Sequence, residues 1–132
     1  MTAVLDASAL LAYLREEPGA DVVADVIADG ASMSAVNLAE VFSRSADRGA
    51  DPAKLAASLA GGGLLDGAIT VEPFTTADAI DTARLRRLTR DAGLSLGDRA
   101  CLALALRLSS RAVTADAAWQ GIPHGVELHQ IR

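Results

Sequence analysis

The sequence has 132 residues, of which 51% are hydrophobic, and its 12 basic and 17 acidic residues give a formal net charge of −5. A chain of this length and hydrophobic content can bury a core, which excludes intrinsic disorder. The single cysteine excludes an intrachain disulfide framework and a multi-cysteine zinc site. The acidic balance argues at first against a nucleic-acid or anionic-membrane partner.

No stretch of the sequence reaches the ~20 apolar residues that cross a bilayer. The apolar run from Ala3 to Leu14 resembles a signal peptide only superficially, because no basic residue precedes it and Asp6 interrupts it. The lone cysteine also suits a reducing compartment. We therefore expect a soluble, unprocessed, cytoplasmic protein with no membrane partner, folded as a single domain over residues 1–132.

Apolar runs alternate with helical patterns along the whole chain. In chain order, the predicted elements are a strand at Thr2–Leu5, a helix at Ser8–Arg15, a helix from Pro18 to a stop at Gly30, a strand at Ala31–Met33, a helix capped by Ser34 and ending near Arg48, a helix from Asp51-Pro52 to the glycines at 61–63, a strand at Ala68–Glu72, a helix from Thr75 or Thr76 to Gly93, a helix from Ser95 through Leu106, and strands at Arg111–Thr114 and Val126–Ile131.

Strands that alternate with helices, the early ones apolar throughout, are typical of a parallel sheet with helices on both faces. We therefore expect a three-layer α/β/α fold with a central, mainly parallel sheet of about five strands. Residues 100–106 are apolar on every side, which predicts a helix that is buried all round. Sheets of this kind hold their sites at the carboxyl ends of the strands.

Two acidic residues interrupt apolar segments. Asp6 ends the first predicted strand, where an uncompensated carboxylate is costly, although capping the next helix would also explain it. Asp98 lies in the first turn of the most apolar helix, on one stripe with Cys101. A capping box with Ser95 is the alternative for Asp98, and a small core residue is the plain interpretation of Cys101.

Two further acids have weaker patterns. Asp116 follows the fourth predicted strand, where an ordinary turn aspartate is the alternative. Glu40 lies away from the predicted apolar stripe of its helix, and an ion pair with Arg44 four residues later is its simpler interpretation. That stripe consists of Ala35, Leu38, Ala39 and Phe42.

Gathering such acids has a chemical purpose. Carboxylates at close range raise one another's pKa unless a cation binds between them. Oxygen ligands suit Mg²⁺ and Mn²⁺, which use few protein ligands and keep several waters. An ion bound in this way can activate water and stabilise in-line displacement at phosphorus.

Four segments together resemble the PIN-domain family, and in particular the VapC-type toxins of bacterial toxin–antitoxin pairs. They follow the family's order and spacing over essentially the whole chain, at Val4–Leu10, Ser34–Val41, Leu96–Ala100 and Val113–Asp116. The resemblance implies an α/β/α domain and a Mg²⁺-dependent endoribonuclease, with Mn²⁺ as a substitute. It also implies an RNA substrate, a cognate VapB-type antitoxin whose tail fills the acidic pocket, and a homodimer.

By this resemblance, the family's catalytic and metal-binding quartet falls on Asp6, Glu40, Asp98 and Asp116. Glu40 is included on the resemblance alone. Ser8 and Thr114 match the small hydroxyl positions beside the first and last acids. Asn37 lies one turn before Glu40, where it faces either the pocket or solvent. The chain departs from the pattern at Ala117, where the family often has a lysine.

Other phosphoryl-transfer families fit less well. Phosphatases of the haloacid dehalogenase type need a second acid two residues after the first, where this chain has Ser8. Receiver domains need an early acid pair and a lysine on the last strand, but the only lysine is Lys54 in a mid-chain helix. His124 and His129 have no cysteine nearby and fit ordinary roles in a turn and on a strand surface.

The densest basic patch is one face of the helix after Thr75, with Arg86, Arg87 and Arg90. A solvated face is its plain interpretation, and contact with RNA phosphates or an acidic partner segment is the functional one. Few aromatic residues are available for base stacking, and Trp119 is expected to be buried against the sheet rather than to stack on RNA.

The resemblance to the PIN-domain family therefore predicts a Mg²⁺-dependent endoribonuclease toxin. The alternative is a non-catalytic PIN-like module that binds RNA or protein without cutting. If four acids form a metal pocket, the other 13 nearly balance the 12 basic residues. The net charge then no longer argues against an RNA substrate.

Overall fold

Five short strands form one sheet at the centre of the molecule, which the computed structural model describes over residues 3–132. The strands are β1 (Ala3–Leu5), β2 (Ala31–Ser34), β3 (Ile69–Glu72), β4 (Arg111–Thr114) and β5 (Leu128–Gln130). Their order across the sheet is β3-β2-β1-β4-β5, and each neighbouring pair is parallel. The expected parallel α/β sheet of five strands is confirmed.

Helices lie on both faces of this sheet. Within the described residues, they are α1 (Ala7–Leu14), α2 (Ala20–Ala28), α3 (Ala35–Asp47), α4 (Pro52–Gly61), α5 (Thr76–Thr89) and α6 (Leu96–Leu108), with short 3₁₀ turns at Arg90–Ala92 and Ala117–Trp119. None of these helices is long and apolar enough to cross a membrane.

Side chains of β1 divide between two hydrophobic cores, since successive residues of a strand point to opposite faces. Ala3 and Leu5 pack with apolar residues of α1, α2 and α3 on one face. Val4 packs with residues of α5 and α6 and with Trp119 on the other. The sheet is therefore the middle layer of three, and β1 and β4 at its centre are completely enclosed apart from Arg111 at the edge of β4.

The predicted cap signals mark most of the helix starts. Ser34 caps α3 and Asp51 caps α4, and both α5 and α6 begin with a capping box. The proposed start at Pro18 is wrong, because α2 begins at Ala20 after a left-handed Gly19 with φ of 96°. A β-carbon on Gly19 would lie 2.8 Å from the Ile131 side chain, so the tight turn there requires glycine.

Some predicted boundaries and faces differ from the structure. The first strand was predicted to include Thr2, which lies outside the described residues. The fifth strand is shorter than predicted, because only Leu128–Gln130 pairs with β4. The helix predicted to be buried all round is buried over residues 100–105, but Leu106 is 43% exposed, since it lines an open groove between α5 and α6.

The apolar stripe predicted for α3 is also wrong in part. Ala39 is exposed, and the buried residues of α3 are Asn37, Leu38 and Val41. The reason is that α3 packs against α6 as well as α1, which turns the face that begins at Asn37 inward. The solvent-facing alternative for Asn37 is therefore excluded.

Candidate functional site

A cleft of about 330 Å³ opens at the carboxyl ends of the central strands. The chain leaves β1 at Asp6 and β4 just before Ala115, and these two strands are neighbours, with Leu5 opposite Val113. All four predicted acids contribute to the cleft, although they come from four separate parts of the sequence. Its lining consists of Asp6, Ala7, Ser8, Asn37, Glu40, Arg44, Asp98, Ala115, Asp116 and Arg132.

Asp6 is the most enclosed of the four acids, with 4% of its surface exposed. Its Oδ1 accepts hydrogen bonds from the Ala9 amide at 2.8 Å and the Ser8 hydroxyl at 2.7 Å, and its Oδ2 accepts one from the Thr114 hydroxyl at 2.6 Å. The capping interpretation of Asp6 is correct, and the same residue also lines the cleft.

Burial raises the pKa of Asp6 to about 6, against the lowering effect of the hydrogen bonds from Thr114, Ala9 and Ser8 and with a further rise from the charge of Asp98. No Lys or Arg ion pair with Asp6 occurs among the described residues. An ionised Asp6 is therefore costly until a cation enters the cleft.

The hydroxyls of Ser8 and Thr114 join Asp6 to the end of β4. Ser8 Oγ accepts a hydrogen bond from the Ala115 amide at 2.9 Å, and Thr114 Oγ1 accepts one from the Asp116 amide at 3.0 Å. Because each hydroxyl also donates to Asp6, its orientation is set by two partners. Ser8 and Thr114 thus hold both the first acid and the backbone leading to the last one.

Asp98 and Asp116 each serve as a cap as well as lining the cleft. Asp98 Oδ2 accepts the Ser95 amide at 2.9 Å, which completes the capping box of α6. Asp116 Oδ1 accepts the Ala118 amide at 2.8 Å at the start of a 3₁₀ turn. The structural alternatives for these acids are correct, and they do not conflict with a role in the cleft.

Glu40 makes the predicted surface ion pair, with 3.2 Å between its Oε2 and Nη2 of Arg44. The pair lies at the edge of the cleft, because α3 begins directly after β2 and Glu40 falls on the turn nearest α6. Two guanidinium groups, those of Arg44 and Arg132, therefore border an otherwise acidic cleft. Arg132 is held by the Pro18 carbonyl at 3.1 Å and by Glu17 at 3.6 Å.

Sequence reasoning missed both arginines. Arg44 was considered only as the surface partner of Glu40, although a residue one turn from a candidate acid shares its side of the helix. No local sequence pattern predicts that Arg132 lies in the cleft, because its position depends on a contact with Pro18, 114 residues earlier in the chain.

The other residues singled out in the sequence lie elsewhere. Arg86 and Arg87 of α5 and Arg90 of the 3₁₀ turn that follows it are exposed and do not line the cleft. Trp119 is fully buried, as expected, and His124 joins its carbonyl to the Val126 amide within a turn. Cys101 is a core residue, and burial raises the pKa of its thiol well above the usual value.

The donor set fits a hydrated divalent cation. Among residues 3–132, no three histidine, cysteine or acidic side chains are grouped closely enough to hold a metal ion by themselves. Mg²⁺, however, usually binds through one or two carboxylates and keeps several waters. The cleft offers carboxylate oxygens, and Asn37, which also lines it, has a buried amide oxygen without a protein partner.

The molecule is thus an α/β/α protein with four acids around a cleft at the carboxyl edge of its parallel sheet. The chain belongs to the PIN domain family, whose model matches residues 3–124. Comparison with curated protein sequences finds no match.

Solved structures share this fold. A chain of a toxin–antitoxin complex from Klebsiella pneumoniae superposes with a TM-score of 0.72 at 16% identity, over 98% of each chain. DNA-bound VapBC from Salmonella typhimurium gives 0.73 at 17%, covering 100% of this chain and 99% of that one. VapC20 of Mycobacterium tuberculosis, a toxin that cleaves the sarcin–ricin loop, gives 0.70 at 17%, covering 92% and 97%. At these identities the likeness establishes the fold.

Proposed function

We propose that this chain is a VapC-type toxin, an endoribonuclease that depends on Mg²⁺ and hydrolyses RNA phosphodiester bonds. The observation that carries the proposal is the meeting of Asp6, Glu40, Asp98 and Asp116 in one cleft. Membership of the PIN domain family and the shared fold with an RNA-cleaving toxin support it.

The four acids would hold Mg²⁺, or Mn²⁺ in its place, directly or through water. A bound ion of this kind lowers the pKa of a coordinated water and neutralises the charge that develops on the phosphoryl oxygens. Asp6 is the residue best placed to face the ion, because its burial leaves it with hydroxyl and amide donors but no cationic partner.

The chain's own groups define the rest of the reaction. Ser8 and Thr114 orient the Asp6 carboxylate, and a cleft carboxylate accepts the proton of the attacking water. The water oxygen bonds to phosphorus as the bond to the 3′ oxygen breaks, and that oxygen leaves with a proton taken from a solvent water. The expected products carry 5′-phosphate and 3′-hydroxyl ends.

Arg44 and Arg132 line the cleft and would contact RNA phosphates at its edge. The family often has a lysine at the position of Ala117, so in this chain the two arginines would supply the positive charge. The exposed face of Arg86, Arg87 and Arg90 is a separate candidate, as an RNA track or as a docking face for an acidic segment of the antitoxin. A VapB-type antitoxin would block the enzyme by filling the cleft, and the likeness to chains from VapBC structures supports such a partner.

A homodimer is part of the same proposal. Leu88 of α5 and Leu106 of α6 are 51% and 43% exposed, and both line one groove between these helices. A second copy that covered them would remove apolar surface from water. Light scattering on the purified chain should give twice the chain mass, and Leu88→Asp should give a monomer.

The decisive experiment is cleavage of labelled RNA by wild type and by Asp6→Asn. The variant keeps the cap and the size of the side chain but removes the charge, so we expect cleavage to fall by about 10²–10⁴-fold. Asp51→Asn is the matched control, because Asp51 caps α4 away from the cleft. Chelation of divalent ions should abolish cleavage by wild type, and Mg²⁺ should restore it.

Wild-type cleavage by Asp6→Asn in Mg²⁺, or cleavage that survives chelation, would refute the mechanism. RNA binding without any metal-dependent cutting would favour the alternative of a non-catalytic PIN-like module.

A further inference from the structure

Asn37 is a buried polar residue that the reaction described above does not use. It lies in the first turn of α3, is 1% exposed, and lines the cleft. Its Nδ2 donates a hydrogen bond to the Gly97 carbonyl at 2.9 Å, which joins α3 to the start of α6. Because that bond needs a donor, it also determines which end of the amide is the oxygen.

The oxygen end of this amide has no protein donor. In the described part of the chain, the buried side-chain atoms without a partner are Asn37 Oδ1, Thr82 Oγ1, Arg99 Nε, Arg111 Nε and Trp119 Nε1. Among these residues, Asn37 alone lines the acidic cleft. Buried polar atoms in native proteins are nearly always paired with protein, water or an ion, so an unpaired acceptor on a residue that lines a site is available to a water or a ligand group that donates to it.

Close packing around Gly97 places the Asn37 side chain and Glu40 at the start of α6. A β-carbon on Gly97 would lie 2.6 Å from Glu40 Oε1 and 3.7 Å from Asn37 Nδ2. The absence of a side chain therefore lets Glu40 on α3 approach the turn that carries Asp98. Asn37 joins the same two elements by its hydrogen bond.

We propose that Asn37 positions the hydrated metal ion, because its Oδ1 accepts a hydrogen bond from a metal-bound water while its Nδ2 holds the start of α6. This inference rests on the proposed function. A hydrated Mg²⁺ presents water protons outward, and Asn37 Oδ1 is a neutral acceptor that adds no charge to the cleft. Such outer partners orient the groups that bind the ion.

The test is a titration of the metal-free protein with Mg²⁺, and separately with Mn²⁺, followed by thermal unfolding. Wild type should gain stability as the ion binds. Asn37→Leu removes both polar atoms and should raise the metal concentration for half-maximal stabilisation by about 10- to 100-fold. Asn37→Ala removes the same atoms without adding bulk and serves if the leucine variant does not fold.

Two further variants separate this role from a structural one. Asn37→Asp keeps an acceptor oxygen but loses the donor to Gly97, so its half-maximal concentration should return toward that of wild type. Thr82→Val is the matched control, because Thr82 Oγ1 is also buried without a partner but does not line the cleft. This control should bind metal as wild type does, whatever its own melting temperature.

If wild type and Asn37→Leu need the same metal concentration for half-maximal stabilisation, the inference is wrong, but the proposed nuclease activity is unaffected. An equal loss in the leucine and aspartate variants would assign Asn37 to holding α6 alone and overturn its role toward the ion. Absence of any metal-induced stabilisation in wild type would overturn the metal site itself, and with it the inference.

Discussion

Two buried aspartates at helix starts have opposite electrostatic surroundings. Asp6 caps α1 and Asp78 belongs to the capping box of α5, and each is 4% exposed. Asp78 Oδ1 accepts a hydrogen bond from Arg107 Nε at 2.9 Å, and Glu72 lies 3.8 Å from the same guanidinium. Asp6 has hydroxyl and amide donors, and the charge that most affects it is another acid, Asp98.

The two pKa values move in opposite directions. Burial raises the pKa of both carboxyls, but around Asp78 the Thr75 amide and the Arg107 charge more than offset it and lower the pKa. Around Asp6 burial prevails, and the pKa is about 6. Asp78 therefore has an ion-pair partner, Arg107, within the protein. Asp6 has no such partner among the described residues, and an added cation would favour its charged form.

The largest expected change is in the stability of the metal-free protein when Asp6 is made neutral. Relative to the value of 3.8 for an ordinary aspartate, the raised pKa means that folding favours the protonated form. Its contribution to the free energy of unfolding is complete below pH 3.8 and is lost as the pH rises to about 6. At pH 7, Asp6→Asn should therefore be more stable than wild type by up to about 3 kcal/mol.

Denaturant titrations at several pH values check this prediction. The advantage of Asp6→Asn should shrink as the pH falls below about 6 and vanish near pH 4, and Mg²⁺ should reverse it at pH 7 by stabilising wild type alone. An advantage independent of pH would mean that the charge of Asp6 is not its cause.

The opposite result is expected at Asp78. Asp78→Ala removes a cap and a charged hydrogen bond to Arg107, so the protein should lose about 2–3 kcal/mol of stability at pH 7. Because the pKa of Asp78 is lowered, its contribution is present above 3.8 and is lost as the pH falls through the lower folded value. Specific RNA cleavage by the folded fraction should not change, which a parallel cleavage assay checks. Cleavage reduced as much as in Asp6→Asn would end the distinction between the two aspartates.

A smaller effect is expected at Gly97. Gly97→Ala adds a β-carbon against Glu40 Oε1, so the Glu40 side chain must move away from the cleft. The higher helix propensity of alanine, worth about 1 kcal/mol, offsets the strain, and we expect stability within about 1 kcal/mol of wild type. Cleavage should fall by about 10-fold or more, since small displacements at a site are costly. Kinetics in saturating Mg²⁺ measure this, and undiminished cleavage would remove Glu40 from the reaction.

The smallest effect concerns RNA affinity at the edge of the cleft. Neutralising a phosphate contact with single-stranded RNA lowers the slope of log affinity against log salt by about 0.7. Arg44→Gln and Arg132→Gln should each lose about this amount in filter-binding assays with calcium in place of magnesium. Arg86→Gln tests the alternative RNA track on α5, and Arg48→Gln is the matched control, because Arg48 is exposed at the end of α3 and does not line the cleft. A slope altered by Arg86→Gln alone would move the RNA track to α5.

Local signals explain how much of this molecule could be predicted from sequence. Helix starts depend on a few adjacent residues, so the caps at Ser34 and Asp51, a threonine cap for α5 and the capping box of α6 were predicted correctly. The strand-end acid Asp6 stood out because it interrupts an apolar run. Placing Glu40 required the resemblance to a family, because helical periodicity alone assigned it to the surface.

Contacts between distant segments explain what could not be predicted. Asn37 is buried because α6 packs over it and its amide finds Gly97, 60 residues later. Arg132 reaches the cleft through Pro18 and Glu17 at the turn before α2. Neither contact can be predicted from the residues next to Asn37 or Arg132, since the partner residues are ordinary turn and helix-start residues.

Three aspartates of the cleft also hold backbone amides at helix starts, which determines how their charge can be removed without unfolding the protein. Asp6, Asp98 and Asp116 each accept a backbone amide at the start of a helix or 3₁₀ turn. The positive ends of these helical segments partly offset the repulsion among the acids. Alanine at such a position removes both cap and charge, whereas asparagine caps nearly as well. At Asp6 and Asp116, which are the N-cap residues, a single carboxylate-to-amide change therefore removes one charge from the cleft and keeps the cap.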